Sequence, residues 1–298
     1  YLLQLKSHAK SVTLFLYTQM GKHILYLHLW LALIALLLTM ECVVYFSIPI
    51  AFYPFACFSA TATLFAYNAH TLLSINSNKK TTELTSWAKK HYYHVVFFTL
   101  VGFLGCVFFS VYYFSLLQWE VLMAAGVIWI LYESVIAFVN KRGLIITNNY
   151  SLLKSLVLAF VWTVITVILP LTKSTLTFEG NAALFVLIRF CLFALISQLF
   201  EYRDLYTEKL NTGSLNLVGK TIGYTNLTLL CNFFVLIIGI QLIYIEINFA
   251  FKLATSLQLI AIIFFIRIKN IVTITPSMLL WDGILIVTPL CSIPFYYL

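Results

Sequence analysis

The sequence predicts an all-α, polytopic membrane protein of about nine transmembrane helices. Three observations predict it: an apolar composition, apolar runs of membrane-spanning length, and basic residues confined to alternate connections between those runs. Hydrophobic residues make up 62% of the chain and charged residues 9%, at a mean hydropathy of +0.98. In a soluble protein about a quarter of the residues are charged, so a soluble domain is excluded.

A bilayer core of about 30 Å calls for about 20 apolar residues per helix. Runs of that length occupy residues 24–46, 49–74, 93–115, 118–138, 152–172, 180–201, 222–245, 248–267 and 277–297. A transmembrane barrel would show alternating segments of about ten residues, whereas these runs are continuously apolar. The first run is longer than a signal-peptide core and no small-residue cleavage pattern follows it, so it is read as a mature span. Residues 1–22 mix Leu2, Leu3, Leu5, Val12, Leu14 and Leu16 with Lys6, His8 and Lys10, which suits a helix lying in the membrane interface.

Orientation follows from the lysines and arginines. One set of connections carries Lys79, Lys80, Lys89 and Lys90, then Lys141 and Arg142, then Arg203, Lys209 and Lys220, then Arg267 and Lys269; the intervening turns hold only Lys173 as a basic residue. The positive-inside rule makes the basic connections and the N-terminus cytoplasmic. The net charge of +8 is thus a topology signal and an attraction to membrane lipids of negative charge, and a nucleic-acid partner is not expected. The cysteines Cys42, Cys57, Cys106, Cys191, Cys231 and Cys291 fall in apolar runs without metal-type spacing and read as buried small side chains.

Once the spans are oriented, polar residues acquire depth. Asn68, His70 and Thr71 fall near the cytoplasmic end of the second span, Glu133 in the inner half of the fourth, and Asp282 about one and a half turns into the ninth. The sixth span ends in Glu201-Tyr-Arg203-Asp204-Leu-Tyr-Thr-Glu208-Lys209. If that stretch is helical, Glu201, Asp204 and Glu208 share a face, an oxygen-rich grouping that suits a hard cation such as Mg²⁺. Local pairing of these carboxylates with Arg203 and Lys209 on a solvated surface is the other reading. Arg189, mid-way along the sixth span, needs a partner or a water-filled cavity, and Glu133 is the candidate partner. His70 reads as an interfacial histidine, and Asp282, near a helix N-terminus, complements the helix dipole.

With these anchors in place, Tyr67-Asn68-Ala-His70 followed by Asn78-Lys79-Lys80, Lys141-Arg142 after the fourth span, and Arg203-Asp204 with Glu208, Gly213 and Gly223 after the sixth, the chain resembles the UbiA superfamily of intramembrane prenyltransferases. The resemblance covers nearly the whole chain and implies one UbiA-like transmembrane domain over residues 23–298. It also implies transfer of a prenyl group from a prenyl diphosphate to a small aromatic or quinone-precursor acceptor. Family members bind the diphosphate through Mg²⁺ between two acidic motifs, on the second and sixth helices. The second motif maps onto Asp204 and Glu208 as catalytic and metal-binding residues. Asn68, Lys79, Lys80, Lys141, Arg142, Arg203 and Lys220 map as substrate-binding residues. In the first motif Asn68 keeps the leading position, but Ala69, Leu72 and Asn76 stand where carboxylates are expected, and the chain's only aspartates are Asp204 and Asp282. That departure raises a second expectation: a UbiA-fold scaffold, lipid-binding or accessory subunit of a membrane complex, catalysis lost. An ion-coupled transporter built on Arg189 and Glu133 is a third, lacking the paired Gly/Pro-broken helices that mark such sites.

Overall fold

In the computed structural model, every regular element among the described residues is a helix. The structure describes residues 19–49, 53–76, 83–141, 148–173, 180–212, 224–246, 249–267 and 277–296. Tyr92–Tyr113, Leu152–Leu171 and Gly180–Phe200 are long and apolar enough to cross a membrane. Leu29–Tyr45, Leu116–Tyr132, Leu229–Tyr244, Phe249–Phe264 and Gly283–Pro294 are apolar but shorter. This inventory is consistent with an integral membrane protein. The chain divides into two compact units, Tyr1–Leu36 with Ala56–Tyr112, and Leu37–Phe55 with Tyr113–Leu298.

The first unit contains α1 (Gln19–Tyr26), the first half of α2 (Leu29–Tyr45), most of α3 (Pro54–Asn76), α4 (Glu83–Lys90) and nearly all of α5 (Tyr92–Tyr113). Of the expected interfacial segment, residues 1–18 lie outside the described residues. The apolar run expected over 24–46 is broken at Leu27 and His28, where His28 takes φ 57°, a left-handed conformation that costs a non-glycine residue roughly 1 to 2 kcal/mol. Packing holds the break: Leu27 is buried with Ala88 and Val95, and Leu72, Trp87 and Phe98 close around them. The one-residue turn at His91 joins α4 to α5.

Helix α3 starts on proline, whose fixed φ suits a first helical position and whose missing N–H would be unpaired there anyway. It is long enough to span, but its hydroxyl and amide groups leave it less apolar than the three spanning helices. Thr61, Thr63, Thr71 and Ser74 donate back to the carbonyls of Cys57, Ser59, Tyr67 and His70 at 2.8–3.0 Å, so these polar groups sit in the helix without orphaned donors. Helices α3 and α5 approach at two glycines. A Cβ on Gly102 would stand 2.6 Å from the Phe65 backbone nitrogen, and one on Gly105 would stand 2.5 Å from Cγ2 of Thr61. Small residues of this kind let backbones touch in a membrane helix pair. Gly102→Val is therefore expected to force the two helices apart and lower stability by about 1 to 3 kcal/mol. Gly105→Ala should be milder, because it meets a side chain; thermal unfolding of the two variants in detergent checks the order.

The second unit contains α6 (Leu116–Lys141), α7 (Asn148–Thr163), α8 (Gly180–Thr212), α9 (Tyr224–Tyr244), α10 (Phe249–Arg267) and α11 (Ser277–Tyr296), with the C-terminal half of α2. Helix α8 packs most extensively on α7, α10 packs on α11, and α9 lies against both α8 and α10. A wide π turn, Val164–Ile168, continues α7 into a last turn, Leu169–Leu171. The cause is at hand: Pro170 has no N–H and its ring crowds the carbonyl four residues back, so the ladder widens. Helix α11 carries Pro289 and Pro294, and one turn before Pro289 the Ile284 carbonyl accepts a bond from Gln258 Nε2 of α10 at 2.9 Å.

Candidate functional site

The apolar span Gly180–Phe200 does not end as a helix at Phe200; α8 runs on unbroken to Thr212. Positions 201, 204 and 208 therefore fall within an arc of about 60° of one helix face, and position 208 stands about 12 Å along the axis beyond the end of the apolar span. The helical condition attached to the acidic stretch is met. The side chains of Glu201, Arg203, Asp204 and Glu208 lie outside the described residues.

The remaining expected site residues divide between the units. Lys141 is the last residue of α6, with its side chain outside the described residues, and Arg142 and Lys220 lie outside them entirely. Glu133 on α6 and Asp282 on α11 are placed by backbone alone. All these belong to the second unit. Lys79 and Lys80, in the first unit, also lie outside the described residues.

Asn68, in the first unit, is fully buried on α3. Its Nδ2 donates to the carbonyls of Leu27 and Leu64, each at 2.9 Å. The bond to Leu27 crosses to the break between α1 and α2 and captures a carbonyl that the left-handed His28 leaves outside the helical ladder. His28 Nε2 lies 3.3 Å from the Thr71 hydroxyl beside it. Both amide protons of Asn68 are thus committed within the unit, while Oδ1 is buried without a hydrogen-bond partner. Asn68→Leu should leave the Leu27 carbonyl unsatisfied and cost about 1 to 3 kcal/mol. The expected result is a lower unfolding temperature in detergent, with greater protease sensitivity at the α1–α2 break.

The most polar described point of the second unit lies deep inside it. Arg189 on α8 and Glu41 on α2 form an ion pair, with side chains 1% and 0% exposed. Arg189 Nη1 also donates to the Thr288 hydroxyl of α11 at 3.0 Å. The Ser292 hydroxyl of α11 lies 2.8 Å from Glu41 Oε1 and 2.6 Å from the Thr288 carbonyl, its single proton shared between two acceptors. The guanidinium stands 5.2 Å and 5.4 Å from the ring centroids of Phe185 and Phe251, within cation–π range. Arg189 Nε has no partner. The structure thus supplies Glu41 as the partner of Arg189 where the sequence pointed to Glu133. The arrangement ties α2, α8 and α11 together through one neutral pair over an aromatic floor.

The six thiols are free, with Cys42, Cys191 and Cys231 buried, as small apolar side chains would be. Among the described residues no three His, Cys, Asp or Glu side chains are arranged to hold a metal ion, a set that does not include the side chains of Asp204 and Glu208. Compared with protein families, curated proteins and solved structures, the chain matches none.

Proposed function

We propose that this is a polytopic intramembrane prenyltransferase of UbiA-like fold, with about nine spans and a cytoplasmic N-terminus. It would transfer a prenyl group from a prenyl diphosphate to a small aromatic or quinone-precursor acceptor. The observation that carries the reading is the unbroken course of α8 from its apolar span into a turn whose acidic positions share one face. A diphosphate whose isoprenoid tail lies in the bilayer would be held at the level of these acidic positions, just past the end of the apolar span.

The donor chemistry fits Mg²⁺, which takes one or two carboxylates together with substrate phosphates; Asp204 and Glu208 would hold it. Held there, a Mg²⁺ ion would supply positive charge against the diphosphate oxygens and so favour departure of the diphosphate. The chain's own cations do the rest of the binding. Arg203, Lys141, Arg142 and Lys220 supply charge-assisted hydrogen bonds to phosphate oxygens, with Arg suited to bidentate contact. The allylic C–O bond then breaks, the diphosphate departs with the bonding pair, and the acceptor carbon takes the prenyl group and loses a proton. The test is transfer from a panel of prenyl diphosphates to aromatic acceptors by the full chain in proteoliposomes, with and without Mg²⁺. Mg²⁺-dependent product supports the proposal.

The second reading, a UbiA-fold scaffold, lipid-binding or accessory subunit, draws on Asn68. The residue that keeps the leading position of the first motif has both amide protons on backbone carbonyls, and Ala69, Leu72 and Asn76 follow it where carboxylates would stand. Absence of transfer with every donor, together with a stoichiometric co-purifying membrane protein, would favour this reading.

A further inference from the structure

At the junction of α1, α4 and α5, within the first unit, three imidazoles and an indole converge. The His23 ring centroid lies 5.0 Å from that of Trp87, 4.8 Å from that of His91 and 6.1 Å from that of His94. Trp87 and His91 are 4.6 Å apart, and His91 and His94 are 5.8 Å apart. Lys89 and Lys90 end α4 beside them, exposed, and among the described residues neither has an acidic partner. The cluster rests on a rigid base: Ala88 and Val95 are fully buried, and the backbone is continuous through the turn, with His91 N–H donating to the Trp87 carbonyl and Val95 N–H to the His91 carbonyl.

Its position points to its partner. The cluster sits at the start of Tyr92–Tyr113, a helix long and apolar enough to cross a membrane, of which only 17% is buried inside the protein, so most of its apolar surface is left uncovered. Tyr92 and Tyr93 are exposed at that same end, as interfacial aromatics are. The imidazoles are not arranged as a metal site. What remains is a basic and aromatic cluster at the end of a helix long and apolar enough to cross a membrane.

We propose that His23, Trp87, Lys89, Lys90, His91 and His94 form a binding site for the phosphate of an anionic phospholipid headgroup. The acyl chains would lie along the exposed face of α5, over Phe97, Leu100, Val101 and Leu104. The site is graded by pH. Partial burial, reinforced by the neighbouring His23, His94 and Lys90, holds the His91 imidazole below its ordinary range. The described charged or titratable groups around it are His23 from α1, Lys89 and Lys90 from α4, and His94 from α5. A phosphate offsets their mutual repulsion and favours the protonated ring, so by linkage the lipid binds more tightly as pH falls. The proposal rests on membrane insertion and not on prenyl transfer.

The experiment reconstitutes the full chain in nanodiscs of phosphatidylcholine with about 20% phosphatidylglycerol, a composition in which each lysine contributes measurably to headgroup attraction. Retained lipid is then read by native mass spectrometry after transfer to detergent. The wild type should retain phosphatidylglycerol selectively, and more of it at about pH 5.5 than at about pH 7.5. Lys89→Gln/Lys90→Gln should cut retention about tenfold. His91→Gln should flatten the pH response. Both variants change surface or turn residues, and Lys89→Arg/Lys90→Arg, which keeps the charge, should retain lipid as the wild type does. Equal retention of the two lipids by the wild type would overturn the proposal. So would unchanged retention in the glutamine variant, or displacement of the lipid by millimolar inorganic phosphate, which would mark a soluble-anion site.

Discussion

Asp204→Asn and Glu208→Gln are each expected to reduce Mg²⁺-dependent prenyl transfer by about two to three orders of magnitude, the scale of losing one electrostatic contact to developing charge in a low-dielectric site. Both substitutions are isosteric and fall in the part of α8 that extends past its apolar span, so helicity and expression should stay near wild type. If the two carboxylates hold one ion, the losses will not add: the double variant should be little worse than the worse single, as for residues acting as a unit. Arg203→Gln should act differently, raising the KM for the donor more than it lowers kcat, if Arg203 contributes charge to donor binding as proposed. Robust transfer that is indifferent to both acidic substitutions would remove the site from α8. A wild type without transfer, and a silent Asp204→Asn in any other functional assay, would point to the scaffold reading.

Glu41→Leu is expected to be the most destabilising single substitution in the second unit, costing about 3 to 5 kcal/mol, the scale of stranding one member of a buried pair. The two partners are not equivalent. In Arg189→Leu the stranded group is a carboxyl, which can take up a proton and go neutral; in Glu41→Leu it is a guanidinium, which cannot give one up. Arg189→Leu should therefore cost less. Glu41→Leu/Arg189→Leu should recover to within about 1 to 2 kcal/mol of wild type, because apolar replacement of both partners removes both desolvation costs together. Apparent unfolding temperatures of the four proteins in detergent form the cycle. A double variant as unstable as Glu41→Leu would show that Ser292 and Thr288, and not the ion pair, carry the cost.

The all-helical fold was legible because continuous apolar runs dictate it wherever backbone groups must be satisfied within one segment. The helical course of α8 through Asp204 and Glu208 was legible as a condition, since spacings of three and four mean something only on a helix. Glu41 was missed. It is the one acidic residue of the first apolar run, and depth would have exposed it: with alternating spans, the end of the first run, the first half of the sixth and the end of the ninth reach the same level, where Glu41, Arg189, Thr288 and Ser292 lie. The break at His28 left no such trace, because neither glycine nor proline marks it. It depends on a carbonyl caught by Asn68 from 41 residues away, a tertiary contact that overrides a run otherwise suited to one helix. The amphipathic turn α4 was read only as a basic connection, since its eight residues are too short for periodicity to speak.

The pairing of Arg189 with Glu41 also decides how the second unit responds to an electric field. A lone charge displaced across a bilayer exchanges about 2.3 kcal/mol with every 100 mV of potential. Arg189 and Glu41 are held to one another and to α11, so a displacement that keeps the pair together carries both signs, and the pair itself moves no net charge through the field. The buried guanidinium is thus a permanent charge whose own displacement is offset by the carboxylate that travels with it.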